Sequence, residues 1–408
     1  MRHTSHIRVD LNAVADNIRG LRRILPGSTE ICSVVKADAY GLGASRVTRT
    51  LIEAGSGMLA VFTPAQAAEI EAVSGRTPVL VLMPVAELPR DPALSRMLAA
   101  GRLHLVASEP RQVAALTRVR LGRPLPVHVE IDTGMSRGGA SPAESAALIE
   151  SIRSCRSLRL EGVFTHFSST DPATIERQAR RFDGILGSLK RALPDRVRIH
   201  TASTGPCIGA AAERRDMVRI GLGWTGALPG DVDGSTAISL GLRGVVSWTS
   251  SIIQVRSIAE GGSVGYGSGW TATRPTRLGL VPVGYADGFP STLVDPADPH
   301  RVLVETRDGL RAVPVVGAMN MDQLVVDLGD IDPAEDLVNR RIVLLSEHAD
   351  SIVGLGRVAA RAGVAPHQLL ACLGAGVPRI YLADRGLGDA DGVAPERFSG
   401  DAASIAAG

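Results

Sequence analysis

The chain predicts a (β/α)8 barrel of the TIM type followed by a mostly-β C-terminal domain, and three observations lead there. From residue 31 to about 223, eight short β-branched runs alternate with longer Ala/Leu/Glu/Arg stretches of helical period, the pattern of repeated βα units. After about residue 235, strand-like runs follow one another with no helices between them. The length of 408 residues exceeds one ordinary core and suits a barrel with an appended domain. The expected division is a barrel over 1–235, a β domain over 236–385 and a tail over 386–408. The tail is rich in Ala, Gly and Asp without apolar periodicity and is expected to be poorly ordered.

The elements follow in order. A lead-in helix is expected over Leu11–Leu25, with Asp10 as its N-cap. Barrel strands are read at Ile31–Lys36, Met58–Phe62, Pro78–Met83, Leu103–Ala107, Pro126–Asp132, Leu160–His166, Arg198–Ala202 and Met217–Ile220. Helices such as Pro64–Val73 and Pro142–Ile152 connect them. In the second domain, strands are expected within Gly244–Val255, Leu278–Val283, Arg301–Glu305 and Ala312–Val316, with a short helix near Ile352–Ala362. A doubly wound open sheet is the competing fold, and the positions of candidate site residues discriminate between the two.

Composition narrows the function classes. A net charge of +2, from 44 basic and 42 acidic residues, offers no excess that would favour nucleic acid or an anionic membrane, so a small ligand is expected. No apolar run approaches the roughly 18 residues needed to span a bilayer, and MRHTSHIRVD has no apolar signal core, so a cytoplasmic location is expected. Cys32, Cys155, Cys207 and Cys372 lie far apart without metal-ligand spacing, indicating neither a disulfide framework nor a metal site.

The first barrel strand ends in VVKADAYGLG, from Val34 to Gly43. A lysine at a barrel mouth can lose its charge by desolvation and bond covalently to a carbonyl cofactor. By itself Lys36 reads more readily as a solvated surface lysine. The segment resembles the cofactor-lysine segment of alanine racemases, and eight further stretches resemble family motifs in the same order. These are HVEIDTGMSR (128–137), GVFTHFSSTD (162–171), HTASTG (200–205), VRIGLG (218–223), VGYGSGW (264–270), VPVGYADGFP (281–290), NMDQ (320–323) and VPRIYL (377–382).

The resemblance implies pyridoxal 5'-phosphate carried by Lys36, with Tyr40, Thr204 and the backbone at Gly221–Leu222 around its phosphate and Ser203 and His367 among the other cofactor-binding residues. It implies His166 beside the cofactor ring and Arg219 facing the ring nitrogen. A guanidinium does not readily give up its proton, so that nitrogen would be hydrogen-bonded without being protonated, which favours racemization over the cofactor's other reactions. Racemization needs a proton carrier on each face of Cα; the resemblance assigns Lys36 to one face and Tyr266 to the other. It places Arg137 and Glu130 with the substrate, along with Tyr285, Met321 and Asp322. In the family the counterparts of Tyr266, Tyr285 and Met321 come from the other subunit, so a homodimer with composite sites is implied.

The positions fit the barrel. Lys36, Arg137, His166, Ser203, Thr204 and Arg219 each fall at or just beyond the C-terminal end of a predicted strand, the face where barrel sites assemble. The open sheet offers no such explanation. The chain departs from the family pattern at Glu130, where a carbamylated lysine is common, and at His367, where a tyrosine lies over the substrate. Ser291 and Ala318 replace family arginines at the entrance. The expected substrate is a small amino acid, alanine first. Serine or a broader set is the runner-up, a lyase or decarboxylase on the same scaffold is a second class, and a non-catalytic binding role is the third.

Overall fold

The computed structural model describes residues 4–383 apart from 120, 190–192, 211–212, 230–233 and 294–297; the tail expected at 386–408 lies outside the described residues. The chain forms two compact units. One comprises Ala13–Arg243 with Ala365–Ala371, and the other the residues up to Asn12, Gly244–Val364 and those from Cys372 on.

The first strand, β1 (His6–Asp10), is discussed with the second unit. The first unit holds eight parallel strands: β2 (Glu30–Val34), β3 (Met58–Val61), β4 (Val79–Val81), β5 (Leu103–Ala107), β6 (Leu125–Glu130), β7 (Leu158–Phe164), β8 (Arg198–His200) and β9 (Met217–Ile220). Each pairs with its sequence neighbour from β2 to β8, and β9 pairs with β2. Between β8 and β9 the ring is drawn together by Asp216 N–H donating to Ile199 O at 3.1 Å and Arg219 N–H donating to Ala202 O at 2.9 Å. The fold class read from the sequence is thus the observed one.

The connecting helices begin where local chemistry directs. Thr63-Pro64, Asp91-Pro92 and Ser141-Pro142 each put a side-chain oxygen on the orphan N–H groups of the first turn, with proline at the first helical position, where its missing N–H is not needed. The stretch expected as one helix over Pro64–Val73 is interrupted at Ile70, giving Pro64–Glu69 and Glu71–Ser74. Inside the barrel Cys32, Val34, Met58, Ala60, Leu80, Val106, Phe164 and Met217 form one buried apolar cluster.

In the second unit nine strands form one sheet. Val246–Ser251 pairs antiparallel with Arg341–Leu345, and the sheet continues through Arg301–Thr306, Gly309–Val316, Leu324–Asp327, Thr276–Val281 and Gln254–Ile258. The run expected over Gly244–Val255 bends at Ile252 and Ile253 and contributes to two separate strands. β1 lies in this sheet, antiparallel to Val246–Ser251 and parallel to Arg379–Leu382. Its alternating Ile7 and Val9 are fully buried, which holds the amino-terminal strand here. No helix among the described residues is long and apolar enough to cross a membrane.

Candidate active site

The strand carrying Lys36 ends two residues earlier than its composition suggests. β2 stops at Val34, and Ala37, Asp38, Ala39 and Tyr40 follow with φ of 53, 54, 52 and 57°, a left-handed turn built without glycine. Each such residue costs roughly 1–2 kcal/mol, so the surrounding bonds must over-determine the turn. Ala39 N–H donates to Val35 O, Gly43 N–H to Asp38 O, and Asp38 Oδ1 accepts from Ala44 N–H at 2.7 Å, starting the next helix. The turn leaves Lys36 partly buried at the barrel's C-terminal mouth and Tyr40 buried beneath it. Burial, and then the charge of Arg137, lower the Lys36 ammonium below the usual lysine range.

Arg219, on β9, is almost completely buried with no carboxylate bonded to it among the described residues. One terminal nitrogen donates to His200 Nδ1 at 2.9 Å and His200 O at 3.1 Å. The other donates to Thr165 O at 2.9 Å, Thr201 O at 3.1 Å and His166 Nδ1 at 3.1 Å. Both terminal nitrogens are thereby committed, while Nε–H has no acceptor among the described residues. Burial lowers the guanidinium to about 10, so it remains charged at neutral pH. Because arginine can only donate, His166 accepts at Nδ1 and its own proton sits on Nε2. Burial, Arg219, Arg137 and Lys36 together push His166 down to about 3, so it is neutral.

The loop after β6 is organised by Asp132, whose Oδ1 accepts from the N–H groups of Gly134, Met135 and Ser136. Burial opposes ionisation of Asp132, but these donors outweigh it and hold the carboxyl below its usual range. The loop delivers Arg137 to an exposed position. Glu130 ends β6; burial raises its carboxyl, against the opposing charges of Arg219 and Arg137. No ion pair within 4.0 Å joins Glu130 to Arg137, so the direct pair suggested by the sequence is replaced by influence through space. With Lys36, Arg137 and Arg219 facing one mouth against Glu130, the site favours an anionic ligand.

A second arrangement adjoins it. Thr204 Oγ1 accepts from Gly223 N–H at 3.1 Å, tying the loop after β8 to the loop after β9, and Ser203 precedes it at the start of a short helix. A Cβ on Gly221 would lie 2.3 Å from Tyr40 Oη, so only glycine leaves the phenol its place against the Gly221–Leu222 backbone. Burial pushes the Tyr40 phenol above its usual range, which keeps it a neutral donor. Trp224 packs against Tyr40 with the rings tilted by 36° and their centroids 5.6 Å apart, and donates Nε1–H to Val34 O at 2.9 Å. Hydroxyls and backbone N–H groups on these loops match what a phosphate requires.

His367 belongs to the same unit, on the helix Pro366–Ala371, where burial and then the charge of Lys36 lower its imidazole. Tyr266, Tyr285, Met321 and Asp322 are exposed loop residues of the second unit. Tyr285 N–H donates to Asn320 O and Ala286 N–H to Met321 O, and Gly265 packs on Ala318, so the turns carrying both tyrosines adjoin the 318–321 segment. Sequence reasoning left Trp224, Asp132 and His200 unassigned. Asp132 and His200 stand inside the quoted motifs and Trp224 directly follows VRIGLG, and a tryptophan in a chain with three was the available signal.

Residues 9–229 match the alanine racemase N-terminal domain family, and residues 245–381 the alanine racemase C-terminal domain family. The chain belongs to the alanine racemase family. It is 31% identical over 389 residues to the alanine racemase of Synechocystis sp., covering 94% of this chain and all of that protein. Among solved structures, the alanine racemase of the D-cycloserine producer Streptomyces lavendulae matches with a TM-score of 0.82 and 27% identity, over 94% of this chain and 98% of that one. The alanine racemase of Bartonella henselae, solved with covalently bound pyridoxal phosphate, matches with a TM-score of 0.78 and 25% identity, over 93% and 99%. Family membership thus spans both units, and the family's members are isomerases.

Proposed function

We propose that this chain interconverts L- and D-alanine with pyridoxal 5'-phosphate held on Lys36. The observation that carries the reading is the barrel mouth itself. There the amine of Lys36, lowered by burial and by Arg137, acts on the same His166 as a charged Arg219 whose Nε–H is uncommitted. Tyr40, Ser203, Thr204 and the Gly221–Leu222 backbone would hold the phosphate, and His166 would lie along the ring. When bound, the cofactor supplies an electron-withdrawing ring that acidifies the Cα–H of the amino acid.

This chain's residues then divide the work. Arg219 donates a hydrogen bond toward the ring nitrogen and keeps its proton, which limits how far negative charge is stabilised and favours rapid return of a proton to Cα. Arg137 orients the substrate carboxylate, and Glu130 balances the cationic mouth without covalent modification. Lys36 holds or takes the proton at Cα on one face and Tyr266 on the other.

Tyr266 is 78% exposed, Met321 54% and Tyr285 49%. We assign these exposed side chains to a second copy of the chain, which would cover them and receive Tyr266 in its own site, giving a homodimer. Four unpaired cysteines suit a reducing, cytoplasmic compartment. Serine is the second reading, favoured by His367 at the mouth: an imidazole can hydrogen-bond a substrate hydroxyl. The test of the two-base roles is Tyr266→Phe. Exchange of the α-proton with solvent deuterium should persist from one enantiomer and collapse from the other; equal, undiminished exchange from both would overturn the assignment.

A further inference from the structure

The apolar cluster fills only part of the barrel interior. His104 on β5, His128 on β6 and His200 on β8 are also buried, and they bond to one another. His200 Nε2 lies 3.1 Å from His128 Nδ1, and His128 Nε2 lies 3.0 Å from His104 Nδ1. The strand between them makes room by lacking a side chain: a Cβ on Gly162, the register partner of His128, would sit 2.2 Å from His128 Nδ1. Phe164 stacks on His200 at 4.6 Å and lies 5.0 Å beneath the Arg219 guanidinium.

One set of protons satisfies the whole chain. Arg219 can only donate, so His200 accepts at Nδ1 and carries its proton on Nε2. That proton is donated to His128 Nδ1, which places the His128 proton on Nε2, and this in turn is donated to His104 Nδ1. Burial, together with neighbouring cationic groups, holds all three imidazoles below their usual range, so each is neutral. Every bond therefore points away from Arg219, and at the far end His104 feels the carboxylate of Glu161.

A buried arginine ordinarily needs a carboxylate partner, and Arg219 has none among the described residues. We propose that His200, His128 and His104 are positioning residues for Arg219: a neutral, one-directional hydrogen-bond chain that solvates the guanidinium in place of a counter-anion. Aligned neutral donors and acceptors polarise one another and stabilise a cation in a dry interior. A carboxylate in the same place would instead neutralise Arg219. Leucines would fill the volume and leave its buried N–H group without the imidazole acceptor. The chain thus keeps Nε–H charged and free for the ligand. This inference rests on the ring-facing role of Arg219 proposed above.

The experiment uses holoenzyme labelled with 15N-histidine. All three imidazoles should be neutral Nε2–H tautomers, with couplings across the His200–His128 and His128–His104 bonds. His128→Leu should abolish both couplings and lower kcat about tenfold, the usual effect of losing an outer hydrogen-bond partner, while KM for alanine moves less than about threefold. His128→Gln, which retains an acceptor and a donor, should recover most of that loss. If His128→Leu does not fold, His104→Leu at the end of the chain should show the same sign, at about threefold in kcat. A charged or Nδ1–H imidazole among the three, or full kcat with the couplings shown to be gone, would overturn the proposal. The tautomers are read with no amino acid present, so a wrong substrate assignment leaves that arm standing, whereas a wrong tautomer pattern sinks this inference alone.

Discussion

Replacing Gly221 with alanine isolates the contact on which the phosphate cradle depends. Gly221 has a negative φ, −108°, with ψ of −88°. The side chain does not fit: its Cβ would lie 2.3 Å from Tyr40 Oη and 3.3 Å from Cζ. Tyr40 cannot swing away freely, because its ring is buried against Trp224, whose indole N–H is fixed on Val34 O. Overpacking of this kind costs about 1–3 kcal/mol. For a unit of this size each kcal/mol lowers Tm by roughly 2–4 °C, so apoenzyme should melt several degrees lower. Cofactor affinity should fall about tenfold or more, since each 1.4 kcal/mol is about tenfold in Kd. The control is Tyr40→Phe, which deletes the clashing oxygen and leaves Cζ, at 3.3 Å, as the nearest atom. In that background Gly221→Ala should cost less than in the wild type, by a coupling of about 0.5–2 kcal/mol in the double-mutant cycle. Thermal unfolding of the four apoenzymes and absorbance titration with pyridoxal phosphate measure both quantities. An equal loss in the two backgrounds would refute the steric reasoning.

Two further outcomes follow from the mouth of the barrel. Glu130→Gln should lower kcat/KM about five- to tenfold, roughly the 1 kcal/mol of a through-space charge interaction near the surface, without response to bicarbonate; a fully active variant would remove Glu130 from the site. The same substitution should raise stability at neutral pH. A carboxyl raised on folding binds more protons in the native than in the unfolded state, so wild-type stability falls as pH rises from the unfolded value of 4.5 through the raised native one. The Tm advantage of Glu130→Gln should therefore grow across that window and disappear below it, and an advantage independent of pH would contradict the argument. His367→Tyr adds bulk at the entrance and should shift kcat/KM from serine toward alanine by about tenfold, within the 1–3 kcal/mol available to a small steric difference; an unchanged ratio would show that His367 does not govern entry.

The barrel was legible because several βα units repeat the same local signals: a β-branched run, then a capping side chain and proline. The site was legible as motifs and as positions at strand ends, without its bonding. The left-handed turn from Ala37 to Tyr40 contains no glycine to announce it, and its bonds to Val35 and Ala44 exist only once the turn has closed. The pairing of β1 with Val246–Ser251 and Arg379–Leu382 joins residues hundreds apart, which periodicity within a window cannot see. The short strands Leu324–Asp327, Arg341–Leu345 and Arg379–Leu382 are four or five residues each, too brief to give a clear alternation. His128 and His200 read as ordinary strand residues until the register sets His128 beside Gly162 and closes the ring that brings Arg219 to His200.

The most direct measurement of the central claim is chiral analysis of alanine incubated with purified holoenzyme. Enantiomers have equal free energy in water, so pure L-alanine and pure D-alanine should each converge on an equal mixture with total alanine conserved. Lys36→Ala should abolish the conversion. Unchanged optical purity, or loss of alanine with release of a keto acid, carbon dioxide or an aldehyde, would contradict the account and point to a different reaction on the same scaffold.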